Sequence, residues 1–273
     1  MEDETLRAAW QRHAEQWIAW ARTPGHDHHY WRLNLPAFLD LLPPPGRLTI
    51  DVGCGEGRLD RLLAQQGHRV LGVEASPTLA RAAVTHAGAT PVVLADAARL
   101  PIDDGAADLV VAFMSLHDID DLDGALQEIS RVLAPAGRLC AAVVHPINSG
   151  GAFDARTADA TFTMTESYFT TRSVADTIER DGLAMTFTSV HRCLQTYWRA
   201  LEAAGLVVDA LREPRPDAAF VAAEPQAERW QRVPLFLHLR AVRKPARPQS
   251  ATARSGPPRT RDGRRPGAAA RRR

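Results

Sequence analysis

A glycine-rich segment, IDVGCGEG at residues 50–57, follows a short apolar stretch of the chain. Its three alternating glycines allow the backbone to turn sharply and to approach a ligand closely. The dinucleotide-binding pattern GxGxxG is not fulfilled, because its third glycine position holds Arg58. The carboxylate of Asp51, at the start of the segment, would repel a pyrophosphate and suits a ligand that carries an ammonium group. The segment therefore favours an amino-acid-bearing nucleoside over NAD.

Two further acidic residues stand where neighbouring strands are expected to end. Glu74 ends the second predicted strand, where a carboxylate can accept hydrogen bonds from both hydroxyls of a ribose. Asp96 ends the third, and its side chain suits the exocyclic amine of an adenine. Three acids at three successive strand ends are more specific for a nucleoside site than the glycine segment alone.

The elements that must position these residues follow from alternating apolar and turn-forming stretches. Predicted strands cover residues 47–53, 68–75, 90–96, 108–113, 138–144, 207–213 and 234–244. Predicted helices between them cover residues 57–67, 76–88, 122–137 and 197–206. This order predicts an α/β fold with a doubly wound, mostly parallel seven-stranded sheet, whose last two strands form an antiparallel hairpin.

Three regions surround or interrupt this pattern. Residues 1–45 contain amphipathic stretches and predict an N-terminal helical lid, and residues 46–244 form the ligand-binding domain. Within that domain, residues 146–190 break the alternation and predict a cap inserted over the carboxyl edge of the sheet. Residues 245–273 are rich in Arg, Pro, Gly and Ala, which is typical of a disordered basic tail.

Five motifs occur in order over about residues 47–145: IDVGCGEG, the acid in VEAS, LADAARLP, DLVVAFMSLHDIDD and RVLAPAGRL. Together they resemble the successive motifs of the class I S-adenosylmethionine-dependent methyltransferases. The resemblance implies S-adenosyl-L-methionine as cofactor, with its methionine part near the glycine segment, its ribose at Glu74 and its adenine at Asp96. The cofactor-binding residues that it implies are Asp51, Gly53, Cys54, Gly55, Glu74, Ala75, Asp96, Ala97 and Met114.

Methyl transfer from a sulfonium is an in-line displacement, so the protein mainly has to align the reactants. A general base is needed only when the acceptor loses a proton. His117 and His145 follow the fourth and fifth predicted strands and are the candidate catalytic residues, although single histidines are more often structural. Aromatic residues and methionines in the cap predict an apolar or aromatic small-molecule acceptor, and equally suit packing of the cap on the sheet.

Composition excludes or disfavours several other classes. The three cysteines are scattered and no stretch is apolar enough to span a membrane, so a cytoplasmic protein is expected. The histidines in GHDHHYW lack the spacing of a catalytic zinc pair, so no metal is predicted. The ten basic residues among the last thirty leave an acidic remainder, which disfavours nucleic acid as a partner.

Three alternatives stay open, and so does the oligomeric state. One is an RNA or protein methyltransferase that uses the basic tail as a tether, and another is a non-catalytic S-adenosylmethionine-binding protein. The third is an NAD oxidoreductase, which Asp51 and Arg58 disfavour.

Overall fold

The computed structural model describes residues 4–244, and the predicted basic tail lies outside the described residues. In chain order the strands are β1 (Thr49–Val52), β2 (Val70–Glu74), β3 (Val92–Leu94), β4 (Ala107–Phe113), β5 (Leu133–Val144), β6 (Ala152–Phe153), β7 (Phe162–Thr163), β8 (Arg172–Arg180), β9 (Leu183–His191), β10 (Leu206–Arg212) and β11 (Phe236–Arg243). The α-helices are α1 (Leu6–Arg22), α2 (Leu35–Leu39), α3 (Arg58–Gln65), α4 (Pro77–Thr85), α5 (Leu122–Val132), α6 (Pro146–Ser149), α7 (Leu194–Ala203) and α8 (Ala218–Ala223). A π-helical turn (Tyr30–Asn34) precedes α2, and 3-10 turns cover Leu116–Asp118 and Pro225–Gln231.

Seven strands form the central sheet in the order β10-β11-β5-β4-β1-β2-β3. Strands β1 to β5 are parallel to one another, whereas β11 is antiparallel to both β5 and β10. This arrangement confirms the predicted α/β fold with a mostly parallel seven-stranded sheet and a reversed terminal pair. Val52 pairs with Val73, and Glu74 pairs with Leu94. The carboxyl ends of β1, β2 and β3 therefore reach the same edge of the sheet.

Packing on both faces explains why the sheet strands read as nearly continuous apolar runs. On one face, the buried side chains of α5 and α7 join those of the sheet, and Leu126 and Ile129 are fully buried there. On the other face, α2 and α3 cover the sheet through Phe38 and Leu63, which are also fully buried. Among the described residues, every helix is too short or too polar to cross a lipid bilayer.

The prediction of a helix over residues 122–137 was wrong at its end. Helix α5 stops at Val132, and β5 begins at the next residue, Leu133, which pairs with Ala107. Pro135 explains the early end, because a proline disfavours the helical conformation of the residue before it. The register then shifts, and Leu109 pairs with Arg138.

The predicted cap insertion contains two antiparallel hairpins, β6–β7 and β8–β9. Helix α1 packs against both β9 and α4. The indole of Trp10 donates a hydrogen bond to the carbonyl of Thr188 on β9, at 3.0 Å. At the other side of α1, the amide of Gln11 donates to Thr78 and its carbonyl oxygen accepts from the Ser76 hydroxyl, at 2.7 and 2.6 Å. Helix α1 thus connects the cap hairpin to the start of α4.

Candidate functional site

The glycine segment joins β1 to α3 and adopts a backbone that only glycine tolerates easily. Gly53, Gly55 and Gly57 all have positive φ, at 75°, 60° and 81°. The amides of Gly53 and Cys54 both donate to the carbonyl of Val73, so the segment is fixed to the end of β2. A Cβ atom on Gly53 would lie 2.5 Å from the Cβ of Ser115. The glycine therefore also permits close contact with the residues that follow β4.

Glu74 is a buried carboxylate that holds two turns at once. One of its oxygens accepts from the amide of Gly55 at 2.9 Å, and the other accepts from the amide of Ser76 at 2.8 Å. Burial raises the pKa of Glu74, while the hydrogen bonds from the backbone oppose that shift. The residue thus sits between the glycine segment and the start of α4, as a strand-end acid of a nucleoside site would.

Asp51 is buried within β1, and its carboxyl group is hydrogen-bonded to that of Asp60 on α3. Burial, together with the neighbouring Asp60, raises the pKa of Asp51 well above its usual range. Two buried carboxyl groups in contact cannot both be ionised without a large cost, so they share a proton. Asp60 also accepts from the hydroxyl of Thr90, and a Cβ on Gly72 would lie 2.5 Å from its Oδ2. The carboxyl group of Asp51 is therefore already hydrogen-bonded within the protein, to Asp60.

The remaining predicted cofactor residues lie along the same strand ends with different exposure. Asp96 is exposed after β3, and its carboxylate accepts from the amide of Ala98 at 2.9 Å. Met114 has a φ of 60°, and its amide donates to the carbonyl of Ala142. Of the other three positions, Cys54 and Ala97 are buried and Ala75 is half-buried.

His117 lies in the 3-10 turn after β4 and is buried. Burial, together with the neighbouring Arg192 cation, lowers the pKa of His117 to about 3, so its imidazole is neutral near pH 7. Its Nε2 lies 3.6 Å from a carboxylate oxygen of Asp118, and its Nδ1 has no hydrogen-bond partner among the described residues. Burial also raises the pKa of Asp118 well above its usual range. The neutral ring can orient an acceptor by a hydrogen bond, but it holds a proton poorly.

Arg192, which was not predicted, fixes this turn in place. Its guanidinium is buried and donates to the carbonyls of Leu116, Ile119 and Asp120. Because Arg192 directly follows β9, it ties the cap to the loop beside the candidate site.

His145 lies after β5, and both of its ring nitrogens have partners. Its Nδ1 accepts from the amide of Ile147 at the start of α6, and its Nε2 lies 3.0 Å from Glu213. Burial lowers the pKa of His145, while Glu213 opposes the shift. These contacts give the ring a structural role.

Helix α1 covers the glycine segment. A Cβ on Gly55 would lie 3.2 Å from the indole nitrogen of Trp17. Arg22, at the end of α1, forms an ion pair at 2.9 Å with Glu56, which is buried between two glycines. Arg61 on α3 pairs with the same carboxylate at 2.8 Å. The contacts made by Trp17 and Arg22 were not predicted, because they join residues that are far apart in the sequence. The pair of Arg61 with Glu56, five residues away, was not predicted either.

The histidine-rich loop after α1 points its side chains to different partners. His26 approaches the carbonyl of Arg180 at the tip of the β8–β9 hairpin, His28 pairs with Glu224, and Asp27 pairs with Arg58. In residues 4–244, no three His, Cys, Asp or Glu side chains are grouped so that they could hold a metal ion.

The sheet order defines the class as an α/β protein, and the glycine turn and the strand-end acids lie at the carboxyl edge of its sheet, where such proteins bind ligands. Comparison with known proteins assigns the chain to a more specific class of α/β proteins. The model of the Methyltransferase domain matches residues 50–141, which run from β1 into β5.

The relatives agree with that match. An uncharacterized methyltransferase of Mycobacterium tuberculosis is 33% identical over 99 residues, which cover 36% of this chain and 40% of the relative. The ubiquinone/menaquinone biosynthesis C-methyltransferase of Caulobacter sp. is 30% identical over 137 residues, covering 45% of this chain and 54% of the relative. The chain thus spans about half, or less, of the length of these relatives.

A solved structure extends the likeness to most of the fold. The S-adenosylmethionine-dependent methyltransferase of Mesorhizobium loti superimposes with a TM-score of 0.62 and 25% identity, covering 76% of this chain and 96% of that chain. Residues 50–141 thus match a methyltransferase domain, and most of the chain shares the fold of an S-adenosylmethionine-dependent methyltransferase, which confirms the resemblance seen in its motifs.

The buried, neutral state of His117 predicts a pH effect on stability. The unfolded chain binds a proton on this residue below pH ~6.5, whereas the native protein does so only near pH 3. As the pH is lowered from about 6 to 4, this group should therefore decrease the free energy of unfolding by roughly 1.4 kcal/mol per pH unit. Urea unfolding of wild type and of His117→Asn at several pH values measures this pH dependence of stability. The variant should show a correspondingly shallower pH dependence, and parallel curves would contradict the prediction.

Proposed function

We propose that the protein transfers the methyl group of S-adenosylmethionine to an oxygen, nitrogen or carbon atom of a small-molecule acceptor. The observation that carries the proposal is the position of α1, which lies over the glycine segment and bonds to the cap hairpin. The amide of Leu6 donates a hydrogen bond to Asp120 beside the candidate site, and the indole of Trp10 donates one to the carbonyl of Thr188 in the cap. An edge enclosed from both sides suits a small acceptor better than a macromolecule.

The residues at this edge fit the cofactor. Gly53 is exposed at the strand end, with no side chain to block an approaching ligand, and Glu74 has a buried carboxylate that can accept further hydrogen bonds from ribose hydroxyls. We assign Asp96 and Ala97 to the adenine. Asp51 supports the glycine segment through its shared proton with Asp60. The remaining residues proposed to line the pocket are Cys54, Gly55, Ala75 and Met114.

When bound, S-adenosylmethionine supplies an electrophilic methyl group on a sulfonium. The task of the chain is to hold the acceptor in line and to keep water out. His117 is the first candidate for acceptor contact, and its neutral Nδ1 would accept or donate one hydrogen bond there. Asp118 lies beside it, and burial raises the pKa of its carboxyl group. His145 is the second histidine candidate, and any role would act through its contact with Glu213.

An apolar or aromatic acceptor is favoured by the side chains between α1 and the cap. Trp17 and Trp20 of α1 both make edge-to-face contacts with Phe187 of β9, with ring centroids 6.1 and 6.2 Å apart. Trp10 stacks edge-on against Trp17 at 6.0 Å. The Caulobacter relative named for C-methylation in quinone biosynthesis supports the same acceptor class.

We further propose a cytoplasmic location. The cysteines of the described chain, Cys54, Cys140 and Cys193, are free thiols, which suits a reducing compartment.

A labelled-methyl assay against a panel of small aromatic and apolar acceptors tests the activity directly. Isothermal titration calorimetry with S-adenosylhomocysteine and with NAD tests the cofactor class. We expect binding of S-adenosylhomocysteine only; binding of NAD alone would overturn the proposal. A variant that lacks residues 245–273 should keep its activity, whereas loss of activity on the panel would favour a tethered macromolecular substrate.

Conservative changes of the two acids at this edge should affect cofactor affinity to different extents. Glu74→Gln cannot accept both backbone hydrogen bonds, so affinity for S-adenosylhomocysteine should fall by about 1–3 kcal/mol. Asp51→Asn keeps a donor toward Asp60, so its affinity should stay within roughly 0.5 kcal/mol of wild type. Calorimetry measures both, and equal losses in the two variants would show that this assignment is wrong.

A further inference from the structure

We propose that Ser149 and His191 form a second catalytic site, which hydrolyses an uncharged carboxylic ester. Ser149 is the nucleophile and His191 is the general base. The site lies in the cap, and its chemistry goes beyond the proposed methyl transfer.

A groove between the two hairpins of the cap gives this site room for a ligand. Its volume is about 530 Å³, which lies in the range of small-molecule sites. Ser149 lines the groove at the end of α6, and Arg172 lines it at the start of β8. Phe153 and Val174 add apolar surface. None of the residues assigned above to the cofactor belongs to this lining.

The hydroxyl of Ser149 is paired with the imidazole of His191. Its Oγ lies 2.8 Å from Nδ1 of His191, whereas the carbonyl of Pro146 is 3.4 Å away. On the other side of the ring, Nε2 lies 2.8 Å from the carbonyl oxygen of Tyr168. A carbonyl only accepts hydrogen bonds, so Nε2 carries a proton. Burial lowers the pKa of His191, so the ring is neutral near pH 7 and its Nδ1 accepts the hydrogen bond from Ser149.

A hydroxyl, a base and a group that orients the base make up the arrangement of a serine nucleophile. A serine hydroxyl is a weak nucleophile until a neighbouring base takes its proton. Here the carbonyl of Tyr168 fixes the tautomer of a fully buried imidazole. A Cβ on Gly150 would lie 3.4 Å from Cε1 of His191. The ring is thus packed against the turn that follows Ser149.

Arg172 supplies a cation beside the nucleophile. Its Nη2 donates to the carbonyl of Ser149 at 3.3 Å, and its Nε pairs with Glu166 at 3.0 Å. Its Nη1 is buried and has no hydrogen-bond partner among residues 4–244. When a hydroxyl adds to an ester, negative charge develops on the former carbonyl oxygen, and a donor held in place stabilises it. Arg172 is the group that stabilises this charge.

The reaction needs only the ester and water. Oγ of Ser149 bonds to the ester carbonyl carbon while its proton passes to Nδ1 of His191. The bond between this carbon and the alcohol oxygen then breaks, and the alcohol leaves with that proton. Water next attacks the acyl-serine and gives a proton to Nδ1, which returns it to Oγ as the carboxylic acid is released. Both side chains are thereby restored.

The charges of the groove favour an uncharged ester over an anionic one. The lining contains one cation, Arg172, and two carboxylates, Asp154 and Glu166. Glu166 is paired with Arg172, so Asp154 leaves the lining with one negative charge in excess. An anionic substrate would be repelled by that charge.

Labelling with a biotin-linked fluorophosphonate tests the nucleophile. Such probes phosphonylate serine hydroxyls that a neighbouring base activates. In the full-length wild-type protein, peptide mass spectrometry should locate the label on Ser149. No label, or a label on other residues only, overturns the proposal.

Two variants separate an activated hydroxyl from a merely accessible one. His191→Gln should slow the labelling of Ser149 roughly a hundredfold, because the base is lost while the hydroxyl stays. Ser173→Ala removes an exposed hydroxyl that lines the same groove and should be labelled as wild type is. An unchanged rate in His191→Gln would assign its contact with Ser149 to the fold and contradict the proposal. Should the Tm show that His191→Gln is unfolded, the position of the label in wild type decides alone.

Hydrolysis of p-nitrophenyl acetate tests the reaction. Ser149→Ala should have a kcat/KM roughly a hundredfold or more below that of wild type and of Ser173→Ala. Mono-p-nitrophenyl succinate, which carries a carboxylate, should react with wild type roughly tenfold more slowly. Equal rates in Ser149→Ala and wild type would overturn the site, and an equal or faster reaction of the succinate would overturn the substrate class. The affinity of Ser149→Ala for S-adenosylhomocysteine should match that of wild type, because the groove shares no residue with the proposed cofactor site.

Discussion

One buried carboxylate, that of Glu74, determines how the carboxyl edge of the sheet is built. A charge removed from water is tolerated only when hydrogen bonds compensate it, and here the amides of Gly55 and Ser76 do so. The glycine segment and the start of α4 are thereby held at a fixed separation. Helix α1 rests on both turns, through Trp17 over Gly55 and through Gln11 at Ser76. The enclosure of the site consequently depends on the same carboxylate.

The sequence predicted those parts of the molecule that local patterns specify. Apolar runs bounded by glycine and proline predicted the strands and most helices. The glycine segment and Glu74 were correctly predicted to lie at the ends of strands. The boundary between α5 and β5 was misplaced because the apolar pattern continues across Val132, although Pro135 marks the end of the helix. The β8–β9 hairpin of the cap was missed as well. Its signal is the pair Asp181–Gly182, both with positive φ, which is a strong local indication of a tight turn.

The candidate site was predicted less completely, because much of it depends on contacts between distant residues. Nothing near Asp51 in the sequence indicates that its carboxyl group meets Asp60, or that the two share a proton. The stacking of Arg58 on Tyr30 and the three carbonyl contacts of Arg192 likewise follow only from the fold. Residue type and strand position can suggest which groups face an edge. They do not reveal which of those groups are already satisfied by one another.

A crystal structure of the protein with S-adenosylhomocysteine tests the central claim most directly. The account predicts that the ribose lies against Glu74, that the adenine lies at Asp96 and Ala97, and that Trp17 covers the amino-acid end at the glycine segment. Density for the nucleoside elsewhere, or a ribose with no contact to Glu74, would contradict it.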